Sequence, residues 1–296
     1  MMGARAMEAI LTVKDLVLDT GGKKNSQTLV DGVSFTAYRG RMLAIVGESG
    51  SGKSLTVSSV AHLLPSAVRR VSGEITLYAG DTEVRIDRLA KLGREMRRIR
   101  GLNIGMVFQD PMAALNPVQT IGRQVTERLL AHTRVSRADA NVRAIALLES
   151  LGIGSAAERF HRYPHEFSGG MRQRVMIAIA LICDPDLVLA DEPTTALDVI
   201  VQAQILALLR DMVDDGRAVV LITHNMGLVA EYADDVAVMY QGQIIERGTV
   251  EEVLGNPKHP YTAGLLRCVP VMDMDRDVDL ATISTAFTQA QKGHIS

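Results

Sequence analysis

Tryptophan is absent from this chain of 296 residues, aromatic side chains make up only 4% of it, and cysteine occurs twice. The two cysteines, Cys183 and Cys268, show no C-x-x-C spacing. That excludes a disulfide framework and an iron–sulfur or zinc site built within one chain, and it points to the cytoplasm. Long apolar runs are missing too. The longest, such as Val175 to Cys183 and Ala218 to Ile222, fall well short of the roughly 18 residues a spanning helix needs. From Met1 to Ile10 there is no apolar core followed by a cleavage pattern, so no secretory signal is expected. Neither sign of charge dominates: 32 Lys and Arg face 34 Asp and Glu, a net charge of -2. Without a basic field, nucleic acid is not an expected partner. No internal repeat of about 20 to 50 residues is visible, which excludes a solenoid.

The chain does have apolar patterning, at 47% hydrophobic residues. Leu11 and Val13, then Leu16 and Leu18, and the stretch Leu29 to Ala37 with Val33, Phe35 and Ala37 on one face, read as antiparallel strands. Met42 to Val46 is a continuous apolar run with Gly47 behind it, the mark of a strand buried on both faces, and a helix is expected from Lys53. Gly73 to Tyr78 alternates as another strand, and Asn103 to Phe108 leads into the middle of the chain. From Pro111 to Cys183 the period turns helical, as in Ala144, Leu147, Leu148 and Leu151 and in Val175, Ile179 and Ile182. Strands return at Leu187 to Ala190 and Ala218 to Thr223, separated by a helical stretch from Val199 to Val213. That is a βαβ unit, so the core is α/β with helices inserted. After Leu254, Pro257, Pro260 and Pro270 follow in quick succession, and the stretch from Met272 on reads as a polar tail.

Two motifs carry chemistry. Gly47-Glu48-Ser49-Gly50-Ser51-Gly52-Lys53-Ser54 fits G-x-x-x-x-G-K-[ST] between a buried strand and a helix. Glycines let consecutive N–H groups curl inward, and the helix end adds its positive pole, which makes a nest for phosphates. Lys53 would reach the β and γ phosphates, and Ser54 would offer its hydroxyl to Mg²⁺. Leu187 to Ala190 is an apolar strand that ends in Asp191 and Glu192. Neighbouring side chains on a strand point apart, so Asp191 can hold the metal shell while Glu192 orients and deprotonates the attacking water.

At Phe167-Ser168-Gly169-Gly170-Met171-Arg172-Gln173-Arg174 the sequence resembles the signature motif of ABC ATPases. Ser168, Gly169 and Gly170 lie just ahead of a helix, where free N–H groups make a second anion site. The resemblance implies that this site serves the nucleotide of a second ATPase subunit, with two ATP molecules held between head-to-tail chains. Three more positions match the family pattern: Gln109 resembles the Q-loop glutamine that touches Mg²⁺ or the water, Ala196-Leu197-Asp198 resembles the D-loop at the dimer interface, and His224 resembles the switch histidine at the γ-phosphate. The fold implied is a P-loop NTPase with a RecA-like parallel sheet core, an N-terminal antiparallel β subdomain and an inserted helical subdomain at about 111–183. The expected division is 8–255 as nucleotide-binding domain and 256–296 as C-terminal extension. Where the family carries an aromatic residue to stack on adenine, this chain has Asp19 or Thr20. Stacking would then fall to Tyr38 or to a partner residue, or selectivity for the base is loose.

Phe108-Gln109-Asp110-Pro111-Met112 with Leu115-Asn116-Pro117, and the tail Asn256-Pro257-Lys258-His259-Pro260-Tyr261-Thr262, are similar to the oligopeptide, dipeptide and nickel importer ATPases. The resemblance implies an ATPase that energises peptide import, with nickel as the alternative cargo. It would work at the cytoplasmic face of the inner membrane, on permease subunits served by a solute-binding protein. Two other readings stay open: a soluble ABC ATPase acting on DNA or ribosomes, which would carry a long coiled-coil insert or a second ATPase domain, and a regulatory module that binds nucleotide without hydrolysis. Lys91, Arg94, Arg97 and Arg98 mark a basic face between Arg88 and Arg100, either solvated or set against anionic lipid headgroups.

Overall fold

The computed structural model describes residues 7–21, 26–80, 82–195 and 197–267. Ala196, Cys268, Pro270 and the tail from Met272 lie outside the described residues. In chain order the elements are β1 (Ala9–Thr20), β2 (Thr28–Tyr38), β3 (Met42–Val46), α1 (Lys53–Val60), β4 (Val68–Ala79), β5 (Thr82–Arg85), α2 (Arg94–Leu102) and β6 (Ile104–Val107). A helical run follows: α3 (Pro111–Ala114), α4 (Ile121–His132), α5 (Arg137–Ser150), α6 (Ala156–Arg159) and α7 (Gly169–Leu181). Then come β7 (Leu187–Asp191), α8 (Val199–Asp214), β8 (Ala218–Thr223), α9 (Met226–Tyr232), β9 (Asp235–Tyr240), β10 (Gln243–Thr249), α10 (Val250–Gly255) and α11 (Pro260–Arg267).

These strands make two sheets, an antiparallel one in the order β2-β1-β4-β5 and a larger one in the order β10-β9-β3-β8-β7-β6. In the larger sheet β9, β3, β8, β7 and β6 are parallel, and β10 adds an antiparallel edge. The apolar runs predicted to be buried on both faces are so: every residue of β3, β7 and β8 is buried. Their side chains alternate between two cores. Val188, Ala190, Val219 and Leu221 pack under the helical insert α4–α7, while Leu187, Leu189, Val220 and Ile222 pack toward the antiparallel sheet. Burial of each such side chain is worth about 1.5–3 kcal/mol, so the parallel strands are clamped from both sides. That fixes where their carboxyl ends stand.

In β1 the inward set changes parity, from Leu11 and Val13 to Leu16 and Leu18. Between them Asp15 takes a left-handed φ of 49°, and the pairing with β2 slips between Val13 and Leu16, a bulge that keeps all four side chains buried. On α2, Met96 and Ile99 face the core, and Arg94, Arg97 and Arg98 are exposed. A third core lies at the β9 edge, where Tyr261 and Leu265 of α11 pack with Val46, Val229 and Val238. Residues 256–267 are therefore built into the edge of the main sheet.

Candidate functional site

Four loops leave the carboxyl ends of neighbouring parallel strands and meet: the glycine-rich turn after β3, Gln109 after β6, Glu192 after β7 and His224 after β8. Such strand ends are where open α/β sheets bind ligands. Around the turn, Leu29, Gly50, Lys53, Ser54, Gln109 and Glu192 line a hollow of about 240 Å³. Close contact with neighbouring chain demands glycine at two points of the turn. A Cβ on Gly47 would stand 2.0 Å from the Met239 carbonyl oxygen, and Gly52, at φ 102°, would meet Leu29 O and Val30 Cγ2 at 3.0 Å. By contrast nothing stands within 4 Å of a Cβ placed on Gly50, where the cradle opens.

Lys53 is buried, and its ammonium donates to the carbonyls of Gly47 at 2.8 Å and Glu48 at 2.7 Å, and to Ser51 Oγ at 3.4 Å. Burial pulls its pKa down, against the attraction of Glu192, Asp191 and Glu48. Ser54, one residue on, donates through Oγ to Asp191 Oδ1 at 2.9 Å. Burial pushes the Asp191 carboxyl up, the bond from Ser54 draws it down, and the charge of Glu192 raises it again. Glu48 and Ser49 stand at the rim of the turn, half-buried and exposed, while Ser51 is buried.

Glu192 points the other way. It accepts from Gln109 Nε2 at 3.2 Å and from Thr195 Oγ1 at 2.9 Å, and its Oε1 stands 3.2 Å from His224 Nδ1. Its backbone has a left-handed φ of 45°, a conformation that costs a non-glycine residue on the order of 1 kcal/mol or more and that collects at functional sites. The amide of Glu192 donates to Ile222 O at 3.0 Å, which holds the strained turn against β8. The two adjacent carboxylates thus take separate partners, as their positions at a strand end require. Sequence reasoning did not single out Thr195; a threonine three residues past a carboxylate carries no signal of its own.

Ser168, Gly169 and Gly170 are not brought to this hollow. Ser168 Oγ accepts from Met171 N at 3.3 Å and so caps α7; Ser168 and Gly169 are exposed. Asp198 likewise caps α8, accepting from Val201 N at 2.9 Å. From the inner side of α7, buried Gln173 donates to Pro193 O at 2.7 Å, so the helix that carries the second glycine turn is bonded to the loop just after Glu192.

The expectation that Tyr38 might stack on a base is corrected. Tyr38 lines a different hollow with Leu43 and Asp235, nine residues along β2 from Leu29, a separation of about 30 Å. At the near end Asp19 and Thr20 are held by polar bonds, from Ser26 Oγ and Gln27 N, each at 2.9 Å. Among the described residues, aliphatic Leu29 and Leu55 line the hollow beside the phosphate turn.

Comparison with known proteins agrees with this geometry. The pattern of the ABC transporter family matches residues 30–195, and that of the oligopeptide/dipeptide transporter C-terminal region matches residues 245–294. The chain is 46% identical over 275 residues to the oligopeptide transport ATP-binding protein OppD of Bacillus subtilis (strain 168), covering 93% of this chain and 75% of that one. It is 47% identical to the dipeptide transport ATP-binding protein DppD of the same organism, covering 91% and 79%. Among solved structures, a dimeric ATP-binding cassette in a post-hydrolysis state bound to ADP and Pi superposes with a TM-score of 0.72 at 26% identity, over 81% of this chain and 99% of that one. With its P-loop core, antiparallel β sheet and inserted helices, the chain belongs to the ABC transporter family, among the ATP-binding subunits.

Proposed function

We propose that this protein is the ATP-hydrolysing subunit of an importer for peptides, working as one half of a two-subunit ATPase on the cytoplasmic face of the inner membrane. Residues 8–255 are assigned as the nucleotide-binding domain, with the helical subdomain at about 111–183, and 256–296 as the C-terminal extension. The observation that carries hydrolysis is Glu192, held by Gln109, Thr195 and His224 at the mouth of the hollow whose wall is Lys53 and Ser54. Peptide cargo is supported by the match of residues 245–294 to the oligopeptide/dipeptide transporter region and by the peptide-transport relatives. Among the described residues no helix is long and apolar enough to cross a membrane, so the membrane step would belong to permease partners.

In this reading the backbone N–H groups from Gly50 to Ser54 hold the phosphates of ATP, and Lys53, with three N–H donors, keeps the Gly47 carbonyl while reaching the β and γ oxygens. The donors fit Mg²⁺: Ser54 and Asp191 offer hard oxygens 2.9 Å apart. Among the described residues no three His, Cys, Asp or Glu side chains gather to hold a metal alone, which suits an ion shared with substrate phosphates. Mg²⁺, when bound, would neutralise charge on those phosphates. Glu192 accepts the proton of the attacking water, Gln109 orients that water, and His224 meets the γ-phosphate. Ser168, Gly169 and Gly170, with Asp198 nearby, would close over the nucleotide of the second subunit, and hydrolysis would reopen the pair and drive the permease.

Glu192→Gln tests the assignment. Phosphate release should fall by about 10²–10⁴-fold, while ATP now drives the variant into a dimer on size-exclusion chromatography; unchanged turnover overturns it. Uptake of labelled di- and oligopeptides by cells lacking the gene, restored by the wild type and not by Glu192→Gln, tests the cargo.

A further inference from the structure

The C-terminal motif Asn256 to Thr262 plays no part in the chemistry above, yet it reaches the phosphate turn. Glu246 of β10 accepts from Lys258 N at 2.7 Å and His259 N at 3.1 Å, which seats the motif on the sheet edge. His259 Nδ1 accepts from Tyr261 N at 3.1 Å. Pro260, with its preset φ and no N–H to leave unpaired, opens α11. The helix so started sends Tyr261 inward: it is 1% exposed, its ring centroid is 4.3 Å from that of Tyr240, and its hydroxyl oxygen accepts the Glu48 N–H at 3.0 Å.

That N–H shares one rigid peptide plane with the Gly47 carbonyl, and in a trans peptide the two point to opposite sides. The carbonyl receives Lys53 Nζ at 2.8 Å. A single plane is therefore pinned on both edges, by the lysine from the hollow and by the tyrosine from the core. Glycine at 47 makes this plane easy to rotate, and Tyr261 is the side chain that sets it. We propose that Tyr261 is a positioning residue for the phosphate turn: by holding the Glu48 amide it keeps the Gly47 carbonyl aimed at Lys53, so that the C-terminal motif sets the affinity for ATP. This rests on reading the hollow as the ATP site.

The test uses the full chain and Tyr261→Phe, which keeps the ring and removes the acceptor. The KM for ATP should rise about tenfold, the size expected for one buried donor left unpaired, with kcat within about twofold. Without nucleotide, amide exchange across Gly47 to Lys53 should quicken by a similar factor. Leu265→Ala, which loosens α11 away from the turn, should lower the melting temperature and leave KM unchanged. If Tyr261→Phe moves neither KM nor exchange, or if Leu265→Ala raises KM as much, the proposal is overturned. Should Tyr261→Phe fail to fold, wild-type exchange decides: a Glu48 amide that exchanges at the rate of an unstructured chain overturns the proposal, and a protected one supports it. Faster exchange in Tyr261→Phe, with neither protein binding ATP, would uphold the positioning role and sink the ATP reading.

Discussion

The turn at Gly47–Ser54 and the turn at Ser168–Gly170 both lead glycine-rich backbone into a helix, but their glycines are there for different reasons. In the first turn they answer to this chain: Gly47 touches the Met239 carbonyl, Gly52 sits at φ 102°, and Lys53 fills the inside with an ammonium. In the second they answer to it far less: a Cβ on Gly170 would stand 3.3 Å from Leu197 Cδ2, the end of a flexible side chain. Gly169 and Gly170 are ordinary helical residues in the first turn of α7, and a Cβ on Gly169 would meet nothing within 4 Å. Glycine in a helix costs about 1 kcal/mol relative to alanine. An exposed helix start at that cost leaves room for something from outside, as the proposed pairing with a second subunit's nucleotide requires.

The largest effect would come from separating the two turns. Lys53→Ala and Ser168→Arg should each abolish turnover, whereas an equal mixture should recover about a quarter of the sites, because half of the pairs are mixed and each of those has one whole site. A mixture as inactive as its components would break the comparison for paired copies. Next, Gly47→Ala should weaken ATP binding at least tenfold and lower the melting temperature, since backbone must move. Gly169→Ala should leave the single chain as stable or up to about 1 kcal/mol more stable and still lower turnover about tenfold. Equal loss of fold in both would erase the distinction. The smallest effect concerns pH. Burial pushes the Tyr261 hydroxyl up to about 12, above the usual value near 10. The folded chain keeps a proton that the unfolded chain gives up, so this contribution is full below about pH 10 and is lost between about pH 10 and 12, at most about 2–3 kcal/mol. Urea unfolding at pH 9 and pH 11.5 should show a smaller decline for Tyr261→Phe than for the wild type.

Most of the phosphate half was legible in the sequence because its parts are local. Lys53 and Ser54 sit in one eight-residue window, and Asp191 and Glu192 end one apolar strand. Gln109 and His224 needed the family resemblance, since a lone glutamine or histidine after a strand says little until four strand ends are brought side by side. Thr195 and Leu29 emerge only from tertiary geometry. Strands β9 and β10 were not in the reading, although β9 supplies the carbonyl that forbids a side chain at Gly47. Tyr38 failed as an adenine partner because its distance along a strand, rather than its ring chemistry, decides what it can reach.

The bond from Glu48 to Tyr261 spans 213 residues of chain. At a synthesis rate of about 5–20 residues per second, about 10–40 s pass between the translation of its two ends. A nascent chain on the ribosome thus carries its phosphate turn long before the hydroxyl behind it exists, and the Glu48 amide lacks that partner until α11 has been made. On the positioning proposal, a chain halted before α11 would therefore bind ATP about tenfold more weakly than one in which that helix has been made.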